Sequence, residues 1–581
     1  MRIYCNPVNL AYKYQHNRLG KYTYREGADP SLISFKGRYY LFVSMSAGFY
    51  YSEDLLHWDY HEDRSLEICS YAPDVAVDGE YLYFSASERF KNSKILRTKD
   101  PFAGFEPVSE PFPFWDPHLF FEGETPYLFW GCSNKTPIYV QELSREMQPV
   151  GEKKALIFGD EENHGAERKD LYTRDAKSLP AKLINRVLGD KPFIEGAYLN
   201  KINEKYYLQY ACPGTEYPTY SDCVYVSDAP NGDYVYQQHN PYSIVPTGFA
   251  TGAGHGSTMA DAYGNLWHAS TIGVGVNHNY ERRVGIWPAG VDEDGILFCN
   301  QEFSDYPKEI PQGKFDPLSI APKWMLLSYQ SAAQASSARA EYPVENAVDE
   351  SIKTAWCAES GEDGEWYRLD LGEAKEVHAV QLNFADVEIP KKKLPNKQYI
   401  GSPPFRRYID SSPENKTSWR LFGSADSKDW QLLHDNSEAA QDRSHELIVL
   451  AQGMRLRFLR LDFIAFPYGQ RFALSGFRVF GKGNGAAPAP VSGIHAQRHS
   501  KTEARIAWQK TADAQGYLLR IGCAPDKLYN SLLLYGQNSC GISFLNAETE
   551  SCFCEIVAFN ENGMSRGEKA CLEEDFCLGK E

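Results

Sequence analysis

With 581 residues the chain is too long for one ordinary domain and predicts roughly two to four, each able to bury a core. Its residues are 43% hydrophobic and 14% aromatic, which describes a globular, Tyr- and Trp-rich protein and favours strands over helices. The formal net charge of −17 argues against phosphate-backbone partners and anionic membrane surfaces, both of which need clustered Lys and Arg.

No run of about 18 apolar residues occurs. The N-terminus Met1-Arg2-Ile3-Tyr4-Cys5-Asn6-Pro7 lacks an apolar core followed by a small-residue cleavage site. The 13 cysteines are an odd number and contain no Cys-x-x-Cys pair, which reads as reduced thiols rather than a disulfide framework or zinc site. A non-membrane, cytoplasmic protein is expected.

The first three hundred residues repeat one pattern. Ala28-Asp29-Pro30-Ser31-Leu32-Ile33 is followed by a turn at Lys36-Gly37-Arg38 and the strand Tyr39-Tyr40-Leu41-Phe42. Further copies begin at Ala72-Pro73-Asp74-Val75, Trp115-Asp116-Pro117-His118, Ile194-Glu195-Gly196-Ala197 and Gly254-His255-Gly256-Ser257, each with a Gly- or Asn-containing turn and a second strand. The starts at 29, 74, 116, 195 and 255 are 45, 42, 79 and 60 residues apart, which fits four-stranded propeller blades with insertions. In a five-bladed propeller the marked positions converge at one mouth of the channel, so Asp29, Asp74, Asp116, Glu195 and His255 are expected to face one another. The polar stretch from Gly159 to Lys182 lengthens the third interval and is expected at the rim.

Three carboxylates at one mouth suit glycoside hydrolysis, in which a carboxylic acid protonates the leaving oxygen and a carboxylate activates water or attacks the sugar. A third carboxylate nearby would raise the pKa of the acid by like-charge repulsion. Ala28-Asp29-Pro30, Trp115-Asp116-Pro117 and Ile194-Glu195-Gly196, in that order, resemble glycoside hydrolase family 43, and Ala72-Pro73-Asp74-Val75 resembles a structural motif of the same family. The resemblance covers the chain to about residue 305. It implies an inverting hydrolase with Asp29 as general base, Asp116 as orienter and pKa modulator, and Glu195 as general acid, the base and acid standing roughly 6.5–9.5 Å apart.

The resemblance also implies a substrate-contacting Arg before the last strand, for which Arg282 fits better than Arg283, the latter expected to pair with Glu281. It implies that His255 lies under the pocket and touches a channel ion, frequently calcium, with a structural role; no cofactor is required for the reaction. Asp74, after a proline at a strand start, is expected to bond turn amides. Trp115, Phe49, Tyr51 and Phe193 are candidates for the aromatic walls of a sugar site.

Residues 1–315 are thus expected to form the propeller. After a Pro-punctuated connector, residues 325–482 resemble a discoidin-like β-sandwich through Asn346-Ala347-Val348-Asp349, Trp366-Tyr367-Arg368-Leu369-Asp370 and Phe477-Arg478-Val479-Phe480. Such modules often hold calcium with a Glu near the final strand, and here that place reads Leu474-Ser475-Gly476-Phe477. An insertion from Glu388 to Lys416, with Lys391-Lys392-Lys393 and Pro403-Pro404, is long for such a module; a solvated loop is the plain reading, and a segment that packs on the propeller or edges the pocket is the alternative. Beyond a Gly/Ala/Pro linker, residues 490–578 resemble a fibronectin type III sandwich. The expected architecture is therefore all-β, a five-bladed propeller followed by two β-sandwiches.

The expected activity is exo-hydrolysis of terminal neutral sugars from plant-type oligo- or polysaccharides, by an α-L-arabinofuranosidase or β-xylosidase. A galactan- or galactofuranose-directed hydrolase and a non-catalytic sugar-binding propeller are the alternatives. Nucleic-acid and membrane partners are not expected.

Overall fold

The computed structural model describes residues 1–17, 22–66, 71–88, 92–168, 193–276, 278–389, 398–400, 407–410 and 416–574. Among these, regular structure is strand and short 3-10 turn, and no helix is long and apolar enough to cross a membrane.

Each of the five repeats folds into antiparallel strands ordered outward from the channel. Blade 1 is Ser31–Phe35, Arg38–Phe42, Gly48–Ser52 and Asp59–Glu62. Blade 2 is Tyr71–Asp78, Tyr81–Ser87, Ile95–Thr98 and Glu106–Pro107. Blade 3 is Pro117–Glu122, Thr125–Trp130, Ile138–Leu143 and Pro149–Ile157. Blade 4 is Glu195–Ile202, Lys205–Cys212 and Ser221–Ser227 with Val235–Tyr236 outermost. Blade 5 is Thr251–Ala260, Leu266–Gly273, Arg282–Val291 and Leu297–Cys299.

Turn chemistry sets these hairpins. At Lys36-Gly37 and Asn203-Glu204 both residues are left-handed, the geometry whose twist matches that of the flanking strands. The inner strands neighbour one another around a closed ring, blade 5 against blade 1 included. Pairing of Ile3–Tyr4 with Lys308–Glu309 ties the chain's start to the end of the propeller.

Apolar residues fill the gaps between blades rather than the channel. Phe42, Phe49, Phe84 and Phe105 form the core between blades 1 and 2. Leu41, Trp58, Trp267 and Ile286 do the same between blades 1 and 5. Each such aromatic contributes about 1.5–3 kcal/mol by leaving water.

In the second domain the long strands Trp366–Phe384 and His445–Ala465 pair antiparallel, with Ala473–Lys482 on the other side of the former. They enclose Trp356, Tyr367, Trp419, Phe463 and Phe477. The third domain has two sheets, one built on Ser492–Arg498, Ala504–Gln509 and Ser539–Ile542, the other on Gly516–Gly522, Asn530–Tyr535 and Phe553–Asn560. The all-β propeller with two sandwiches is as the sequence predicts.

The insertion in the second domain does reach the propeller. Its strands Gln398–Ile400 and Arg407–Asp410 extend the hairpin Lys13–Asn17/Tyr22–Glu26 into a four-stranded sheet. The Lys391-Lys392-Lys393 run and Pro403-Pro404 lie outside the described residues. Of the stretch from Gly159 to Lys182, residues 159–168 are described and dock on the third domain, where Gly165 N–H donates to the Leu545 carbonyl at 2.9 Å.

One expectation is corrected. The five marked residues are not equivalent, because the inner strand carries a bulge where it leaves the channel mouth, seen as register shifts at Tyr71/Asp74, Glu195/Tyr198 and Gly254/Ser257. At each blade one residue adopts positive φ: Asp29 (53°), Ala72 (46°), Asp116 (49°), Gly196 (61°) and His255 (54°). Asp74 stands two residues beyond that position and Glu195 one before it.

Candidate active site

The bulge explains which side chains reach the mouth. Left-handed residues are tolerated best when they are Gly, Asp, Asn or His, and four of the five blades use one of these. Asp29 and Asp116 occupy the position directly. In blade 4 the glycine takes it, and the residue before, Glu195, supplies the carboxylate.

Each aspartate is clasped by a hydroxyl on the preceding blade. Asp29 N–H donates to Thr271 Oγ1 of blade 5 at 2.9 Å, and Asp116 N–H donates to Ser87 Oγ of blade 2 at 2.7 Å. Ala72 N–H donates to Ser44 Oγ of blade 1 at 2.8 Å, while Ser44 Oγ donates to Asp29 Oδ2 at 2.6 Å. Asp222 takes over this role in blade 4, accepting from His255 N–H at 2.7 Å and Gly256 N–H at 2.9 Å.

Ligand atoms of Asp116, Glu195 and His255 lie within 4.8 Å of one another. His255 Nδ1 is 3.5 Å from Asp29 Oδ1, so the imidazole links the two sides of the channel mouth. Asp29 is 3% exposed and Asp116 4% exposed. Burial, with Glu195 and Asp29 adding negative charge, pushes the Asp116 carboxyl up to about 7 against the opposing pull of His255. Burial pulls His255 down, but Asp29, Asp116, Glu195 and Asp222 outweigh it and the imidazole is raised.

Glu195 has a donor on each oxygen. Tyr220 Oη donates to Oε1 at 2.6 Å and Cys132 Sγ to Oε2 at 3.2 Å. Burial and the neighbouring carboxylates hold both the phenol and the thiol well above their ordinary pKa, so each keeps its proton to donate.

Arg282 is buried beside Asp29, with Nη1 3.4 Å from Oδ1. Its Nη2 donates to Tyr71 Oη at 2.7 Å and pairs with Glu26. Arg283 is 3.5 Å from Glu281, as expected.

Asp74 accepts from Leu119 N–H at 2.9 Å and contacts His118 Nδ1 at 2.9 Å, so it braces the joint between blades 2 and 3 rather than facing the pocket. Phe49 is fully buried in the core between blades 1 and 2, packed on Phe42 and Phe102. It sits on the third strand of its blade, away from the channel, and is not a sugar platform. Tyr51 packs edge-on against Phe102. Trp115 and Phe193 are half-buried, and Trp115 occupies on blade 3 the place that Glu195 holds on blade 4.

Sequence reading did not single out Tyr220, Cys132, Glu26, Tyr71 or the hydroxyl clasps. The clasps had a signal: Ser44 follows Asp29 by the same interval as Ser87 follows Ala72. Tyr220 had none, since it precedes an ordinary strand.

Among the described residues, Asp116, Glu195 and His255 are the one group of three that could hold a metal ion. They would offer a divalent cation two carboxylates and one imidazole, and calcium, which takes six to eight oxygens, would draw the rest of its shell from water.

The family model for glycosyl hydrolases family 43 matches residues 24–297, and that for the F5/8 type C domain matches residues 332–391. Among solved structures, one described as a glycoside hydrolase is 16% identical, with 78% of this chain and 97% of that one covered at a TM-score of 0.44. A thermostable family-43 glycoside hydrolase is 21% identical over 54% of this chain and all of its own, with a TM-score of 0.40. A xylan β-1,4-xylosidase from Bacillus halodurans C-125 is 16% identical over 82% and 99%, with a TM-score of 0.38. A search of curated proteins finds no match. The chain carries a family 43 glycosyl hydrolase domain over residues 24–297, followed by an F5/8 type C domain, and is a glycoside hydrolase.

Proposed function

We propose that the chain is an inverting exo-glycosidase releasing terminal neutral sugars, arabinofuranosyl or xylosyl, from plant-type glycans. Asp29 is the general base that activates water, Glu195 the general acid that protonates the leaving oxygen, and Asp116 the carboxyl that orients the acid and shares its proton. The carrying observation is the grouping of Asp116, Glu195 and His255 within 4.8 Å, with Asp29 against the same imidazole.

The elevated pKa of Asp116 supports its role, because a carboxyl near 7 can carry a proton beside Glu195 at neutral pH. Ser44 and Arg282, both on the Asp29 carboxylate, fix its plane for attack through water. A net charge of −17 disfavours anionic sugars. Trp115 and Phe193 offer apolar surface to a sugar face. A cation on His255 would supply positive charge to the site, and no step of the hydrolysis is assigned to it.

A panel of nitrophenyl glycosides, with NMR of the first-formed product, tests this. Hydrolysis of an arabinofuranoside or xyloside with inverted anomeric configuration is expected. Release of the retained anomer would overturn the assigned roles.

A further inference from the structure

Consecutive residues of a strand point to opposite faces, and two dipeptides use this alternation to connect the second domain with Asp29. In Arg25-Glu26, which ends the strand Tyr22–Glu26, Arg25 faces the F5/8 type C sandwich. Its Nη1 pairs with Asp386 Oδ2 at 3.1 Å, and its Nη2 and Nε meet Asp442 at 3.0 and 3.2 Å. Asp386 is held in turn by Tyr14 Oη at 2.7 Å and Gln470 Nε2 at 2.8 Å, and Asp442 by Thr417 Oγ1 at 2.8 Å. On the other face Glu26 receives Arg282 and, at 3.0 Å, Tyr71 Oη.

Arg282-Arg283 repeats the arrangement. Arg282 lies against Asp29. Arg283 Nε donates to His445 Nε2 of the sandwich at 2.9 Å, which leaves His445 Nδ1–H to donate to Asn383 Oδ1 at 2.8 Å. The four residues of the two dipeptides are all buried. Both side chains beside the base are therefore flanked, one residue away, by an arginine whose partner belongs to the second domain.

We propose that the F5/8 type C sandwich is a positioning element of the catalytic site. Asp386, Asp442 and His445 fix Arg25 and Arg283, and thereby Glu26 and Arg282 around Asp29. This rests on Asp29 being the base. The same two domains are also joined by a second buried cluster, in which Arg478 pairs with Asp305 at 3.0 Å and Glu350 at 2.8 Å, and which bonds Gln381 rather than any group of the Asp29 shell. That cluster supplies a control of equal burial.

The test compares Asp386→Asn, Asp442→Asn and Glu350→Gln in the full chain, on whichever nitrophenyl glycoside the parent hydrolyses, with rates normalised to folded enzyme. Asp386→Asn and Asp442→Asn are expected to lower kcat about ten- to a hundredfold with KM changed less than about threefold, the pattern of a displaced reacting group. Glu350→Gln is expected to lower the melting temperature and leave kcat at the parent value. Glu26→Gln combined with Asp386→Asn should be no slower than Glu26→Gln alone, since both act through one path. Asp442 is at the edge of the network, 12% exposed, so its variant carries the test if Asp386→Asn does not fold. Parent-like kcat in both Asn variants, with stability lost as in Glu350→Gln, would reduce the sandwich to a brace and overturn the inference. Asp29→Asn retaining the parent kcat would sink the catalytic assignment itself.

Discussion

The imidazole of His255 closes over the backbone of Gly196: a Cβ built on Gly196 would stand 2.6 Å from His255 Cδ2, and Gly196 has φ +61°. Both the conformation and the space demand glycine here. Gly196→Ala is expected to shift Glu195 and His255 together and lower kcat by about a hundredfold. Melting temperature and circular dichroism would show the fold retained.

Glu195→Ala should separate the acid from the base by leaving group. On an alkyl or sugar leaving group the loss is expected to be about 10³–10⁴-fold, while dinitrophenol, which needs no proton, should restore most of the rate. Asp29→Asn should be slow on both. Equal losses for Glu195→Ala on the two substrates would contradict its role.

Tyr220 and Cys132 both donate to Glu195, but a phenol is a far stronger donor than a thiol. Tyr220→Phe is expected to cost about 1.5–3 kcal/mol of the acid's support, roughly tenfold or more in kcat. Cys132→Ala should cost visibly less. Steady-state kinetics on one unactivated substrate ranks them.

His164 sits at the junction with the third domain, stacked on Tyr236 at 3.6 Å and paired with Glu167 at 3.2 Å. Burial pulls the imidazole down, but Glu167, Glu548 and Asp160 outweigh it and its pKa is raised. A raised folded-state value means that the stabilisation is complete below the unfolded value of about 6.5 and is lost as pH rises through the folded value. The melting temperature should therefore fall as pH rises above about 6.5 and through the raised folded-state value, and His164→Gln should flatten that dependence.

Much of this was legible in the chain because a propeller writes its repeat into sequence. Asp29, Asp116 and Glu195 stand at the starts of strands whose partners and turns recur, so position could be inferred from periodicity alone. The bulge was not legible: it adds a residue without changing composition, which is why Asp74 looked equivalent to Asp29 while standing two residues further in. Phe49 misled for a related reason, since an aromatic on a strand does not say whether its face meets a neighbouring blade or a ligand. Tyr220, Arg25 and Asp386 meet the site only through tertiary packing, across separations that no local pattern encodes.

The hydroxyl clasps also join the two ends of the ring. Asp29 opens the first blade, yet its amide is held by Thr271, on the second strand of the fifth. Blades 1 to 4 carry all three carboxylates but not the hydroxyl that holds the Asp29 amide. Closure of the ring by the fifth blade therefore completes the support of Asp29, the proposed base.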